Sequence, residues 1–261
     1  MVNLNKYSLF TKYFVLLLTF AIFISCSEKK YFISKIEGKK ISISDKLTAT
    51  SEIDAYIKPF REHIDTEINT VLAYNPETLD KSTGKWQTNI GSFLADVVFL
   101  KGNEIFLKRE NKKIDLCLLN HGGIRSILPQ GNITARNAFE VMPFENTSVV
   151  VSLKSEEIIA LVNYIIAEKK PHPLNGITFE ISKSNLAQNI LIQGKPLEMN
   201  RIYYVITNDY LANGGDNMVF FKINSGVYDL NYKLRNMLID YFKDVDTLKV
   251  NNDIRIKQLD Y

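Results

Sequence analysis

The sequence predicts a single α+β domain behind an export segment. Short β-branched runs are mixed along the chain with stretches whose apolar residues recur every three or four positions. The two kinds of segment do not alternate strictly, as a parallel α/β fold would require. The chain has 261 residues, 46% of them hydrophobic and 23% charged. That supports a packed core and excludes a disordered, collagen-like or disulfide-scaffold protein.

The N-terminus reads as a targeting signal. Lys6 and Lys12 are the only charged side chains before Glu28, and Tyr13 to Ile24 is an almost unbroken apolar run. As a helix that run is about 18 Å long, too short for a bilayer core of about 30 Å. Phe23-Ile24-Ser25-Cys26 places a small residue before a cysteine where the run stops. This resembles the lipobox of bacterial lipoproteins. The resemblance implies cleavage before Cys26 and lipidation of its thiol and new amino group; an uncleaved anchor or a plain secretory signal is the alternative. Residues 1–25 are therefore read as a signal peptide and 26–50 as a polar, Lys-rich tether with a short strand at Ile41 to Ile43. Residues 51–261 are read as the domain.

Within the domain, Ile53, Ile57, Phe60, Ile64, Ile68 and Leu72 predict a helix that Pro59 could kink. Asn89 is a good N-cap for a second helix, whose Ile90, Phe93, Leu94, Val97 and Val98 share a face. Ile114 to Leu119 reads as a buried strand entering a tight loop, and Ser148 to Leu153 as another strand. Ser155 caps a helix with Glu156 and Glu157 in its first turn, where they complement the dipole. Its buried face is Ile158, Leu161, Val162 and Ile165. Ile177 to Ile181 and Ile202 to Thr207 are strands, Asn208 to Gly215 a loop, Met218 to Phe221 an apolar piece. Leu234, Leu238 and Phe242 mark a last helix.

Charge and residue counts narrow the chemistry. There are 32 Lys+Arg against 29 Asp+Glu. Removing residues 1–25 takes away two lysines and leaves 30 against 29, so no basic excess points to nucleic acid. Cys117 would then be without an intrachain partner, inside the apolar run Leu116 to Leu119, where a buried and inert thiol is expected. No Gly-x-x-x-x-Gly-Lys-Ser/Thr loop and no Gly-x-Ser-x-Gly elbow occur. His63, His121 and His172 have no ligand-type spacing, so no metal site and no catalytic residue is expected in this chain; a three-histidine site assembled in space is the minor alternative.

Two loops carry concentrated polar chemistry. Asn120-His121-Gly122-Gly123-Ile124-Arg125 combines paired glycines, an amide and a guanidinium. That mix suits a heteroaromatic ring with donors and acceptors on its edge, or equally a tight turn with a surface arginine. Asn208 to Asp216 offers Tyr210, Gly214, Gly215 and a carboxylate, fit to chelate vicinal hydroxyls or simply to connect two strands. Between the loops lies Met142-Pro143-Phe144-Glu145-Asn146, whose aromatic would alone be more often core than ligand-stacking.

Taken together, Asn120-x-Gly-Gly-Ile-Arg125, Gly131-Asn132-Ile133-Thr134, Pro143-Phe144-x-Asn146 and Leu211-Ala-Asn-Gly-Gly-Asp216 resemble the C-terminal domain of 5′-nucleotidases. The order and spacing match across roughly residues 50 to 250. The resemblance implies layered sheets and helices in one domain that holds the nucleoside end of a substrate. It implies that Asn120 and Arg125, beside Gly122 and Gly123, bond the base or another polar edge. It further implies that Phe144 and Tyr210 sandwich the ring, Tyr210 standing where the family usually has Phe, and that Asp216 holds the ribose hydroxyls. The family often has an arginine shortly before the first-helix Asn-x-Gly segment; here Lys85 is the nearest substitute.

Complete family members carry a preceding metallophosphatase domain with two metals, and nothing in this sequence replaces it. The expected function is therefore the nucleoside- or nucleotide-binding half of a split 5′-nucleotidase, on the periplasmic or outer surface of a bacterial envelope. It would work with a separate metallophosphatase chain holding a divalent metal pair. A nucleoside-binding lipoprotein without an enzymatic partner, or a structural envelope lipoprotein, is the alternative.

Overall fold

The computed structural model describes residues 4–22, 30–44, 47, 48 and 50–259. They fall into two compact units, Met1–Ser51 and Glu52–Tyr261. In the first, α1 (Leu4–Ile22) is a continuous helix over the expected signal segment. No described helix is long and apolar enough to cross a membrane. The lipobox-like residues Phe23 to Cys26 lie outside the described residues. Ile41 to Ile43 does not form the expected strand: Ile41 is 74% and Ile43 92% exposed. An isolated strand leaves its backbone groups without a ladder, so a β-branched run alone does not make one.

The second unit opens with α2 (Ser51–Ile68), which contains Pro59 and buries none of its residues. The expected helix through Leu72 stops earlier, because Val71–Asn75 is strand β1. It pairs antiparallel with β3 (Gly131–Thr134), which turns Ala73 and Asn75 inward. Next comes α3 (Asn89–Glu110), capped by the side chain of Thr88, which accepts from the Gly91 N–H at 3.0 Å. The expected cap, Asn89, instead accepts from the Asp80 N–H at 2.9 Å and ties the preceding loop to the helix. All five expected core residues of α3 are buried.

The middle of the unit is a five-stranded sheet. Its strands are β2 (Leu116–Leu118), β4 (Thr147–Lys154), β5 (Leu174–Asn175), β9 (Ile202–Asn208) and β10 (Gly226–Lys233), in the order β10-β4-β9-β2-β5. Alternate side chains divide between two cores. Cys117, Val150 and Ile206 join α3 and α7 (Leu234–Asp244) on one face. Leu116, Leu118, Val149, Val151, Tyr203 and Val205 face α5 (Ser155–Glu168) and a second sheet. That sheet has the order β11-β6-β7-β8, from β6 (Ile177–Ile181), β7 (Ala187–Ile192), β8 (Lys195–Pro196) and β11 (Ile256–Gln258). The layered α+β architecture matches the expected class, and Cys117 is buried as expected.

Strand directions gather the site. β2 runs parallel to β9, so their C-terminal ends lie together. β4 runs antiparallel to β9, with Ser148 opposite Asn208, so its N-terminal end lies there too. The loop after β2, the loop before β4 and the loop after β9 therefore emerge at one end of the sheet. Two details differ from the sequence expectations. Asn208 to Gly215 is not wholly loop: Asn208 caps the short helix α6 (Asp209–Ala212), accepting from the Leu211 N–H at 2.8 Å. The residues before β4 include α4 (Ala135–Val141), which no periodicity announced.

Candidate functional site

The three loops enclose a cleft of about 360 Å³ lined by Asn120, Gly122, Gly123, Arg125, Phe144, Asn146, Tyr210 and Asp216. Seven of these are the residues singled out from the sequence. The eighth, Asn146, belongs to the Pro143-Phe144-x-Asn146 motif, and its place beside Phe144 is the sequence signal that it belongs with the others. A smaller apolar recess opens under Asn120, Gly123 and Phe144, walled by Leu94, Leu119, Ile124, Met142 and Leu234.

The first loop is a 3₁₀ turn at His121–Gly123 following β2. The Gly123 N–H donates to the Asn120 carbonyl at 3.1 Å, so that donor serves the turn and not a ligand. A Cβ on Gly123 would lie 2.9 Å from Asn120 Oδ1, so only glycine lets the Asn120 amide take this position. Asn120 itself is buried, and its Nδ2 donates to Asp216 Oδ2 at 2.7 Å across 96 positions of sequence. The Arg125 guanidinium is exposed and stands 5.7 Å from the centre of the Phe144 ring. It can therefore stack or pair with a ligand at the mouth of the cleft.

Phe144 and Tyr210 are 47% and 46% exposed, each with a ring face available along the cleft wall. Gly215 lies directly under the Tyr210 ring, where a Cβ would come within 2.5 Å of it. The Tyr210 hydroxyl donates to Asp216 Oδ1 at 2.8 Å and accepts from the Asp216 N–H at 3.1 Å. Asp216 has φ 51°, the left-handed region, and these bonds hold it there.

The base of the Phe144 loop is pinned by the start of α7. Arg235, buried, donates from Nη1 to the carbonyls of Met142, Pro143 and Phe144 at 3.4, 3.2 and 3.4 Å. Glu145 pairs with Lys233 and Arg235, which together hold its carboxyl down at about 2. Lys85, the expected substitute for a family arginine, is elsewhere: its Nζ donates to Gln258 Oε1 at 2.5 Å. Lys81 is the cation nearer the first loop, donating to the Ile124 carbonyl at 2.5 Å. It lies in a polar segment that no motif marked.

No group of three or more His, Cys, Asp or Glu that could hold a metal ion occurs among the described residues. His121 and His172 are neighbours, but His172 Nδ1 is occupied by the His121 N–H at 3.2 Å. Fold and cleft together define an α+β domain whose loops set two aromatic rings, an amide, a guanidinium and a carboxylate around one cleft.

Residues 70–223 match the family model described as 5′-nucleotidase, C-terminal domain, and the chain belongs to that family. A 5′-nucleotidase of Vibrio parahaemolyticus is 24% identical over 223 residues, covering 82% of this chain and 38% of the relative. The cell wall protein Lmo0130 of Listeria monocytogenes is also 24% identical, over 82% of this chain and 29% of its own length. The chain thus spans less than two fifths of these curated relatives. Among solved structures, a 5′-nucleotidase precursor from Thermus thermophilus superposes with a TM-score of 0.66 at 24% identity. The match covers 80% of this chain and 42% of that one. The NAD nucleotidase of Haemophilus influenzae gives 0.61 at 16% identity, again over 80% and 42%. At these identities the structures share the fold.

Proposed function

We propose that this chain is the nucleoside- or nucleotide-binding half of a split 5′-nucleotidase, tethered through Cys26 to a bacterial envelope membrane. A separate metallophosphatase chain would supply the divalent metal pair for phosphomonoester hydrolysis. The observation that carries the reading is the convergence of Asn120, Arg125, Phe144, Tyr210 and Asp216, from three distant loops, on one cleft. Phe144 and Tyr210 take the two faces of the base. Asn120 and Arg125 meet its polar edge, and Asp216 accepts from the ribose hydroxyls. Holding the nucleoside in place turns an encounter into an oriented reaction, which can lower a barrier by many kcal/mol without this chain touching the phosphorus.

Calorimetry with adenosine, guanosine, uridine and AMP tests the binding. Base–aromatic stacking is worth about 1–3 kcal/mol, so Phe144→Ala and Tyr210→Ala should each weaken binding about ten-fold or more. Wild-type protein that binds none of the four overturns the reading. The split is tested by turnover of AMP and nitrophenyl phosphate with Zn²⁺, Mn²⁺, Co²⁺ or Mg²⁺. The expected result is none from the purified chain, and activity when the cognate metallophosphatase is added. Metal-dependent hydrolysis by the single chain sinks the split. Binding without activity in any pairing would leave a nucleoside-capture protein.

A further inference from the structure

Behind the cleft, two side chains outside every motif link the loops that form it. His172 follows α5 in the segment Lys170-Pro171-His172-Pro173 and is 4% exposed. Its Nδ1 accepts from the His121 N–H at 3.2 Å, the first amide of the turn that begins after Asn120. Its ring packs against the ring of Tyr164 with centroids 5.7 Å apart. Tyr164, on α5, also packs edge-on against Phe220, with centroids 5.7 Å apart. The Tyr164 hydroxyl donates to the Asp216 carbonyl at 2.6 Å. Asp216 Oδ2 then accepts from Asn120 Nδ2 at 2.7 Å. The contacts close a ring: Asn120, His121, His172, Tyr164, Asp216, Asn120.

We propose that His172 and Tyr164 are positioning residues, a brace that holds the Asn120 loop and the Asp216 loop in register for the ligand. The inference rests on the nucleoside reading above and names what keeps its sugar contact in place. Asp216 occupies the left-handed backbone region, which non-glycine residues adopt rarely and which its hydrogen bonds hold in place here. The Tyr210 hydroxyl holds its N–H and carboxylate from the cleft side. The Tyr164 hydroxyl holds its carbonyl, so the Asp216 backbone is fixed on both sides of its Cα. His172 performs the matching task for the first loop. Because Nδ1 accepts, the ring proton resides on Nε2, and this tautomer is the only neutral one that satisfies the His121 amide.

The test is calorimetry on the full chain with two probes. One is the tightest binder among adenosine, guanosine and uridine; the other is its 2′,3′-dideoxy counterpart, which lacks the hydroxyls Asp216 would accept from. Tyr164→Phe keeps the ring and removes only the hydroxyl. It should weaken the ribonucleoside about five-fold or more and leave the dideoxy compound within about two-fold. His172→Asn places an acceptor oxygen near the position of Nδ1 and should retain affinity that His172→Leu loses. Nitrogen NMR of wild-type His172 should show the proton on Nε2. Tyr164→Phe binding the ribonucleoside like wild type, or losing both probes equally, overturns the role of Tyr164. His172→Asn as weak as His172→Leu, or a proton on Nδ1, overturns that of His172. If wild type binds neither probe, the nucleoside reading fails and the brace fails with it; wild-type binding with unaltered variants sinks the brace alone.

Discussion

Asp216 has every polar group engaged: its N–H and Oδ1 by Tyr210, its carbonyl by Tyr164 and its Oδ2 by Asn120. A carboxylate has about four acceptor positions, so two donors still leave room for a diol. In the proposed site Tyr210 would therefore have two separable tasks, a ring face for stacking and a hydroxyl for Asp216. Tyr210→Phe should keep the first and lose the second, weakening nucleoside binding by a few-fold, less than Tyr210→Ala. Calorimetry on both variants checks this, and equal losses would mean that the ring contributes nothing. His172 gives a pH signature. Burial, with His121 and Lys170 nearby, pushes it down to about 4 from an ordinary value of 6.5. The unfolded chain then takes up a proton below about pH 6.5 while the native site resists. The folded state should lose roughly 3 kcal/mol as the pH falls from about 6.5 to about 4, and nothing further from this group below that. Urea denaturation of wild type and His172→Asn across that window isolates the effect as the difference between them.

At the scale of elements, the start of α7 is the foundation of the Phe144 loop. Lys233, Leu234 and Arg235 all hold it, through Glu145, the Asn146 carbonyl at 3.1 Å and the three carbonyls before Glu145. The Arg235 guanidinium also lies 4.1 Å over the Phe139 ring of α4. Arg235→Met would fill much of the volume but leave those carbonyls without their donor. We expect a loss of roughly 1–3 kcal/mol in stability. Nucleoside affinity should fall as well, because Phe144 is no longer held. Thermal melts and calorimetry on the same preparation separate the two, and unchanged affinity in a destabilised variant would show that the loop keeps its shape unaided. By contrast α2 contributes no buried residue, although Ile53, Ile57, Phe60 and Ile64 recur at helical spacing. Periodicity made the helix readable but did not say that anything covers its apolar face.

For the whole molecule, the tether and the binding unit can be tested apart. The proposed lipid anchor depends on one residue, Cys26, whereas the cleft belongs to the unit beginning at Glu52. Cys26→Ala should release the protein from membranes or leave it unprocessed, with nucleoside affinity in the released protein unchanged. Fractionation and the mass of the mature chain decide this; unchanged processing and membrane association would remove the lipoprotein reading without touching the cleft.

The sequence by itself determined the class of fold, the family and seven of the eight residues that line the cleft, because those features are local. Helix faces such as that of α3 repeat within a turn, and glycines, amides and aromatics in short motifs carry their chemistry wherever they lie. It did not determine β1, β3, β7 or β10, since a strand exists only through its ladder partner and those partners are distant in sequence. Nor did it mark His172, Tyr164 or Arg235. Tyr164 and Arg235 lie on helices but off the positions that periodicity picks out, His172 lies in a loop, and each acquires its role only from what folding places beside it. The tertiary structure decided that three loops meet at one end of the central sheet. The direction of β2, β9 and β4 sets this, through backbone pairing that no single segment encodes.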